Sequence, residues 1–158
     1  EATDWGYDWR EDEKKYLHPK YAPFNRYSRD IIGSLNNWVD GWVDWNMVLD
    51  TQGGPNWVSN WCVAPIIVDP AIDEIYYTPL YYVMTHFSKY IRPGAEVIEV
   101  ENSDPELMVT AALNPDKSIA VVLFNEGFEE KSFNLNLYGF SKSLSISPQA
   151  IQTITLKN

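Results

Sequence analysis

Apolar residues recur at intervals of three and four in two stretches of the first part of the chain, which is the spacing of an amphipathic helix. The first stretch ends near Asp40-Gly41. The second begins at Thr78-Pro79, where a hydroxyl at the cap and a proline at the first helical position favour a helix start. The two predicted apolar stripes consist of Phe24, Tyr27, Ile31, Leu35 and Trp38, and of Leu80, Met84, Phe87 and Ile91.

Shorter apolar segments between these helices predict strands. We expect Trp42–Asn46 to form a strand that leads into a loop over Asp50–Trp57, and Ala64–Val68 and Glu74–Tyr77 to form a hairpin. One strand between two helices cannot form a sheet by itself. A helix-strand-helix order suits the closing part of a parallel α/β barrel, whose sites lie at the carboxyl ends of its strands. The other barrel strands are therefore expected upstream of Glu1.

The pattern changes after Gly94, where we place a domain boundary. Six short runs follow at intervals of about ten residues with turn residues between them, which is typical of an antiparallel sandwich. The runs are Val97–Val100, Leu107–Leu113, Ser118–Asn125, Lys131–Leu137, Ser143–Ser147 and Ala150–Leu156. The third run is apolar on both faces and should be central. The predicted fold class is thus α/β plus all-β: residues 1–94 form the C-terminal remnant of a (β/α)8 barrel, and residues 95–158 form an antiparallel β-sandwich domain.

Composition and charge narrow the possible partners. The chain of 158 residues has a formal net charge of −10. This charge argues against nucleic acid or an anionic membrane surface as a partner, because both attract basic patches. No apolar run is long enough to predict an integral membrane segment, and no histidines, cysteines and acids stand at metal-ligand spacing. We therefore predict neither a metal nor a cofactor.

The most unusual stretch of the sequence combines tryptophans with acids and amides. Four tryptophans, two acids and three asparagines fall within the twenty residues from Trp42 to Trp61, on both sides of a Gly-Gly-Pro turn. Flat rings beside carboxylates and amides suit a sugar, whose C–H faces stack while its hydroxyls form hydrogen bonds. The alternative interpretation is a tryptophan-rich packing corner.

Several blocks of this sequence resemble glycoside hydrolase family 30, the family of glucosylceramidase and of microbial β-1,6-glucanases. The resemblance runs from Glu1 to about Gly94, and beyond it only the all-β character and the length are similar. It is carried by Glu1-Ala2, Trp38-Val39-Asp40-Gly41-Trp42-Val43-Asp44-Trp45-Asn46, Gly53-Gly54-Pro55-Asn56-Trp57-Val58, Ala64-Pro65-Ile66-Ile67-Val68-Asp69 and His86-Phe87-Ser88-Lys89-Tyr90-Ile91-Arg92-Pro93-Gly94. The resemblance implies a (β/α)8 barrel with an attached β-sandwich and the hydrolysis of β-glycosides with retention of configuration.

The resemblance also implies roles for individual residues. Glu1 falls where the family has its catalytic nucleophile, Trp45 on the tryptophan that lines the sugar subsite, and Asn60 on an asparagine that contacts the sugar. The general acid/base glutamate of the family has no counterpart here and is expected upstream. From its chemistry alone, Asp44 is a candidate to bind a sugar hydroxyl, to support a neighbouring residue or to be a buried, paired acid. Arg29 stands where glucosylceramidase has a histidine, which leaves the aglycone preference open.

Two classes of function follow. The first is the C-terminal portion of a retaining β-glycosidase that acts on a β-glucoside or related carbohydrate, is inactive as an isolated fragment, and is secreted, periplasmic or on the cell surface. The alternative is a non-catalytic carbohydrate-binding module built on the sandwich. A binding sandwich should expose aromatic rings on one face, yet no tryptophan follows Gly94. The sequence therefore favours the glycosidase.

Overall fold

The computed structural model describes residues 22–55 and 63–157, with the side chains of residues 22 and 23 excepted. These residues form two helices and nine strands. In chain order they are α1 (Ala22–Asn36), β1 (Val48–Asp50), β2 (Ile66–Asp69), β3 (Glu74–Tyr77), α2 (Pro79–Ser88), β4 (Glu96–Ile98), β5 (Leu107–Leu113), β6 (Ile119–Asn125), β7 (Lys131–Leu137), β8 (Phe140–Ile146) and β9 (Ala150–Leu156). The described residues thus combine two helices and a small mixed sheet with an all-β part that begins at β4.

Helix α1 ends one turn earlier than the sequence predicts. Trp38 adopts a left-handed backbone conformation with a φ of 66°, and its N–H binds the carbonyl of Leu35 while the N–H of Val39 binds the carbonyl of Ser34. This pair of bonds is a Schellman motif, which satisfies the last carbonyls of a helix and turns the chain away. Trp38 is consequently 81% exposed instead of continuing the buried stripe.

The first three strands form a small mixed sheet in the order β1-β2-β3. The predicted hairpin is confirmed, because β2 pairs antiparallel with β3 from Ile66↔Tyr77 to Asp69↔Glu74. The predicted strand over Trp42–Asn46 is wrong. That segment is irregular, and the strand begins at Val48, which pairs in parallel with Ile66. Among the described hydrogen bonds, Trp42 Nε1 and Asp44 Oδ1 bind side chains of α1, and the Trp45 N–H binds the side chain of Asp44.

The sandwich contains a four-stranded antiparallel sheet in the order β4-β5-β6-β9 and the hairpin β7-β8. Every residue of β6 is buried, which confirms its predicted central position. The two faces of β6 pack against different elements. Val122 and Phe124 pack with residues of α1 and α2, whereas Val121 and Leu123 pack in a second core that includes residues of the β7-β8 hairpin. The helices therefore form one outer layer, and the hairpin forms the other.

Polar contacts fix α1 on the sandwich. Asn25 donates to Gln149 over 2.8 Å, and Asn36 donates to the carbonyl of Val109 over 2.8 Å. Arg29 forms an ion pair of 2.9 Å with Glu126. These contacts sit at different turns of the helix and reach different strands or turns of the sandwich. Helix α1 is thus a rigid support for the segment that follows it.

His86 connects α2 to the same sheet and predicts a pH effect on stability. Its Nδ1 lies 2.8 Å from the hydroxyl of Thr153, and burial lowers the pKa of His86. Below about pH 6.5, the ordinary pKa of histidine, the unfolded chain binds a proton that the folded chain resists. The free energy of unfolding of this chain should therefore decrease as the pH falls.

Urea unfolding of the wild-type chain and of His86→Gln between about pH 7 and about pH 5 measures this contribution. Glutamine keeps a polar partner for Thr153 but does not titrate, so the variant should lose less stability than the wild type over that interval. Equal losses in the two proteins would show that protonation of His86 does not contribute.

Candidate functional site

One carboxylate oxygen, Asp44 Oδ1, connects the segment around Trp45 to helix α1 by hydrogen bonds. The hydroxyl of Tyr27 donates to Asp44 Oδ1 over 2.7 Å, and the backbone N–H of Trp45 donates to the same oxygen over 2.7 Å. The other oxygen of Asp44 is buried and has no hydrogen-bond partner among the described residues. Asp44 therefore supports its neighbour Trp45, which is one of the roles that the sequence left open.

Trp42 adds a second attachment to α1. Its ring packs edge-on against that of Tyr27, with centroids 5.2 Å apart, and its Nε1 donates to Asp30 Oδ2 over 2.6 Å. Tyr27 and Asp30 are three positions apart and so lie on the same side of the helix. Trp42 is thus a packing residue at the edge of the helical core.

Trp45 is held by its backbone while its side chain points away from the core. The residue is 71% exposed, and Val43 and Met47 are exposed as well. Within the described part of the chain, Trp45 is therefore not a core residue. Of the two tryptophans in this segment, the first is partly buried against α1 and the second is exposed.

The turn after β1 is organised by Asp50. One oxygen of its carboxylate accepts hydrogen bonds from the N–H groups of Gln52 and Gly54, at 2.8 and 2.9 Å. The backbone N–H of Asp50 also donates to the carbonyl of Gly54 over 2.7 Å. Gly53 has a φ of 72°, which glycine adopts without steric cost. The Gly-Gly-Pro turn is therefore a defined structure that directs the chain toward residues 56–62.

The remaining predicted site residues lie outside the described residues. Glu1 and Asn60 both fall in parts of the chain of which the structure gives no account. The structure therefore places Trp45 and Asp44 side by side, while the positions of Glu1 and Asn60 relative to them stay predictions.

Sequence reasoning missed Tyr27 and Asp30 as parts of this site. Helical spacing places Tyr27 in the apolar stripe and gives Asp30 no role. A signal was present, because a buried tyrosine needs a hydrogen-bond partner for its hydroxyl. The partner could not be read from the sequence, since Asp44 is 17 positions away from Tyr27 along an irregular segment.

The sandwich contains a cleft of about 830 Å³ that is separate from this segment. It lies between the β4-β5 face of the large sheet and β7, and all its lining residues follow Arg92 in the chain. Its lining includes Leu107, Val109, Leu123 and Leu135, and its only aromatic ring is that of Phe133. A cleft without tryptophan or tyrosine offers little for sugar stacking, which weighs against the sandwich as the carbohydrate site.

The described residues contain neither a cluster suited to a metal ion nor a helix suited to a membrane. In residues 22–55 and 63–157, no three histidine, cysteine or acidic side chains come together in a way that could hold a metal ion. Neither α1 nor α2 has the length and apolar character needed to cross a membrane.

Two family models match the chain in succession. The model described as the glycosyl hydrolase family 30 TIM-barrel domain matches residues 2–91. The model described as the beta sandwich domain of the same family matches residues 94–154. The two matches together include almost the whole chain.

Similar proteins include a glucosylceramidase and an endo-1,6-beta-D-glucanase. Lysosomal acid glucosylceramidase of Mus musculus is 43% identical over 106 residues, which is 66% of this chain and 21% of that protein. Endo-1,6-beta-D-glucanase of Neurospora crassa is 30% identical over 116 residues, which is 68% of this chain and 24% of that protein. The chain therefore spans about a quarter of the length of these relatives.

Among solved structures, SrfJ from Salmonella typhimurium superimposes with a TM-score of 0.87 at 28% sequence identity. The superposition covers 90% of this chain and 32% of that protein.

Proposed function

Because the chain belongs to glycosyl hydrolase family 30, we propose that it is the C-terminal portion of a retaining β-glycosidase whose nucleophile is Glu1. The observation that carries the proposal is the match of residues 2–91 to the family's barrel, which includes Trp45 on a segment hydrogen-bonded to α1. A ring that is 71% exposed is held by its backbone on a segment anchored to α1, within the part of the chain that matches the family's barrel. Such a ring is the surface on which a pyranose stacks.

Retaining hydrolysis requires two carboxyl groups about 5–5.5 Å apart. One attacks the anomeric carbon and forms a covalent glycosyl-enzyme, while the other first protonates the departing oxygen and then activates water. Glu1 takes the first role. The second belongs to a glutamate in the upstream part of the full-length enzyme, since the resemblance assigns it to no residue of this chain.

Binding of the sugar is assigned to the neighbouring side chains. Trp45 stacks on the sugar in the subsite where the glycosidic bond breaks. Asn60 forms a hydrogen bond with a hydroxyl of the same sugar. Asp44 holds Trp45 through Oδ1. A direct bond from Asp44 to a sugar hydroxyl stays a prediction, because its second oxygen is buried among the described residues. The sandwich, which we place after Gly94, contributes no catalytic residue in this proposal.

The proposed substrate class is a β-glucoside with an apolar aglycone. The identity of 43% to lysosomal acid glucosylceramidase, against 30% to endo-1,6-beta-D-glucanase, supports this preference. The name of the first relative also supports a location outside the cytosol, in a lysosome-like compartment or in the secretory route. Assays of the full-length enzyme with glucosylceramide and with a β-1,6-glucan distinguish the two substrates.

Replacing Trp45 tests the stacking role in the full-length enzyme. Trp45→Ala should lower kcat/KM for an aryl β-glucoside by about 2- to 13-fold, since aromatic stacking contributes about 0.5–1.5 kcal/mol beyond area burial. Trp38→Ala is the matched control, because Trp38 is also an exposed tryptophan but lies outside the anchored segment. Steady-state kinetics that showed equal values for wild type and Trp45→Ala would contradict the assignment.

A further inference from the structure

Tyr27 is the buried residue that joins the rigid helix to the segment presenting Trp45. It is 1% exposed and belongs to the core shared by the helices and the sheet. Its hydroxyl nevertheless points out of that core to Asp44 Oδ1, 2.7 Å away. A hydroxyl that donates to a carboxylate forms one of the stronger hydrogen bonds in proteins, and partial burial strengthens it.

The oxygen that accepts this bond is the one that also holds the backbone of Trp45. Asp44 Oδ1 accepts a hydrogen bond from the Trp45 N–H over 2.7 Å. One oxygen is therefore held by a donor on α1 and by a donor on the next residue of the chain. The terminal torsion of an aspartate is soft. Without the Tyr27 hydroxyl, the carboxylate of Asp44 could exchange its two oxygens or rotate away from α1. The orientation of the Trp45 side chain would then vary.

Helix α1 supplies a fixed reference for this arrangement. Its contacts with Gln149, Val109 and Glu126 tie it to the sandwich at different turns. Among the described hydrogen bonds, none joins residues 39–46 to a sheet, and the carbonyl of Met47 accepts one from the N–H of Ile66 in β2. Up to Val48 the segment forms no regular secondary structure. Among the described hydrogen bonds, its side-chain attachments to α1 are those of Tyr27 and Asp30.

We propose that Tyr27 is a positioning residue that acts through Asp44 to hold the Trp45 ring in the orientation in which it stacks on the sugar. Tyr27 itself does not touch the substrate. The inference rests on the proposed function, because it gives Tyr27 a role only if Trp45 contacts the sugar.

A double-mutant cycle in the full-length enzyme tests the proposal. Tyr27→Phe keeps the ring in the core and removes only the hydroxyl. It should lower kcat/KM for an aryl β-glucoside by no more than Trp45→Ala does, which is about 2- to 13-fold, because only the contribution of the Trp45 ring is lost. In the Trp45→Ala background the same change should have no further effect on kcat/KM, because no ring remains to be positioned.

The matched control is Ser28→Ala. Ser28 is the next residue of α1, is fully buried, and donates its hydroxyl to the carbonyl of Phe24 within the helix. The variant therefore also removes one buried hydroxyl, but from a bond that does not reach Asp44. It should leave kcat/KM unchanged in both backgrounds, and thermal unfolding of all variants should verify that they are folded.

A second variant covers the case in which Tyr27→Phe does not fold. Asp44→Ala removes the accepting oxygen from the other side of the bond and should lower kcat/KM at least as much as Tyr27→Phe. Asp44→Asn retains an oxygen acceptor for both donors and should keep more activity than Asp44→Ala. No difference between these two Asp44 variants would overturn the proposal.

The outcomes separate this inference from the proposed function. If Trp45→Ala leaves kcat/KM unchanged, the stacking role fails, and the positioning role fails with it. If Trp45→Ala lowers kcat/KM but Tyr27→Phe does not, only the positioning role is overturned. If Tyr27→Phe causes the same loss with and without Trp45, Tyr27 has a structural role alone, and the inference is also overturned.

Discussion

Replacing Glu1 with glutamine in the full-length enzyme should abolish hydrolysis of β-glucosides. An amide cannot attack the anomeric carbon, so the covalent intermediate does not form. The expected loss in kcat is on the order of 10⁶-fold, as when a nucleophile with no substitute is removed. Because glutamine has nearly the shape of glutamate, binding of the substrate should change little by comparison. Single-turnover kinetics and equilibrium binding measure the two effects separately.

Two controls make this result specific to Glu1. Asp4→Asn neutralises another acid three positions away and should retain most of the activity. Glu1→Gly opens space where the carboxylate stood, and a small anion such as azide should then partly restore turnover by attacking from the vacated side. An active Glu1→Gln enzyme, or an inactive Asp4→Asn enzyme, would argue against Glu1 as the nucleophile.

The isolated 158-residue chain should show no turnover of an activated aryl β-glucoside, even at high enzyme concentration. The chain spans about a quarter of the length of its relatives, and our proposal places the general acid/base in the remainder. Loss of a general acid alone costs about 10²–10⁴ in rate, and loss of most of the binding pocket multiplies that cost. The activity of the full-length enzyme, assayed in parallel, provides the reference.

This comparison requires that the isolated chain is folded. Its helices, the four-stranded sheet and the β7-β8 hairpin share two hydrophobic cores, so cooperative unfolding with a circular dichroism signal for strands should be measured on the same sample. Turnover by a folded isolated chain would mean that its own residues supply both carboxyl groups, and the assignment of the acid/base to the upstream part would be wrong.

The sequence predicts those parts of the fold that depend on local pattern. A run that is apolar on both faces, such as Ile119–Asn125, can be satisfied only in the centre of a layered structure, and β6 has that position. The hairpin over Asp69-Pro70 and the start of α2 follow from turn residues and from the proline at the first helical position. These features need few contacts from distant parts of the chain. The predicted cap by the Thr78 hydroxyl is wrong, because that hydroxyl donates to the carbonyls of Ala64 and Pro65.

The parts that were predicted incorrectly depend on long-range contacts. The Trp42–Asn46 segment alternates like a strand, but Asp44 and Trp42 form hydrogen bonds with α1, and no neighbouring strand pairs with them. The exposed Trp38 continues the helical stripe in sequence, yet the Schellman motif ends the helix before it. Pattern alone cannot show that a side chain 17 positions away competes for the polar groups of a segment.

Only some residues of the proposed site can be identified from the sequence. Trp45 and Asp44 could be named because their residue types suit sugar binding and because the resemblance covers Trp45. Tyr27 could not, because its function depends on where its hydroxyl points. The same packing that buries its ring in the core directs its oxygen to Asp44, and the direction of a side chain is set by tertiary structure.

The central claim is that this chain carries the nucleophile of a retaining β-glycosidase. Its most direct test is to treat the full-length enzyme with an activated 2-deoxy-2-fluoro-β-glucoside, which forms the glycosyl-enzyme but hydrolyses it slowly, and to locate the added mass by peptide mass spectrometry. We expect the label on the peptide that contains Glu1, on the side chain of that residue. A label on Asp44 or on an acid of the upstream part, or a failure to label an active enzyme, would contradict the claim.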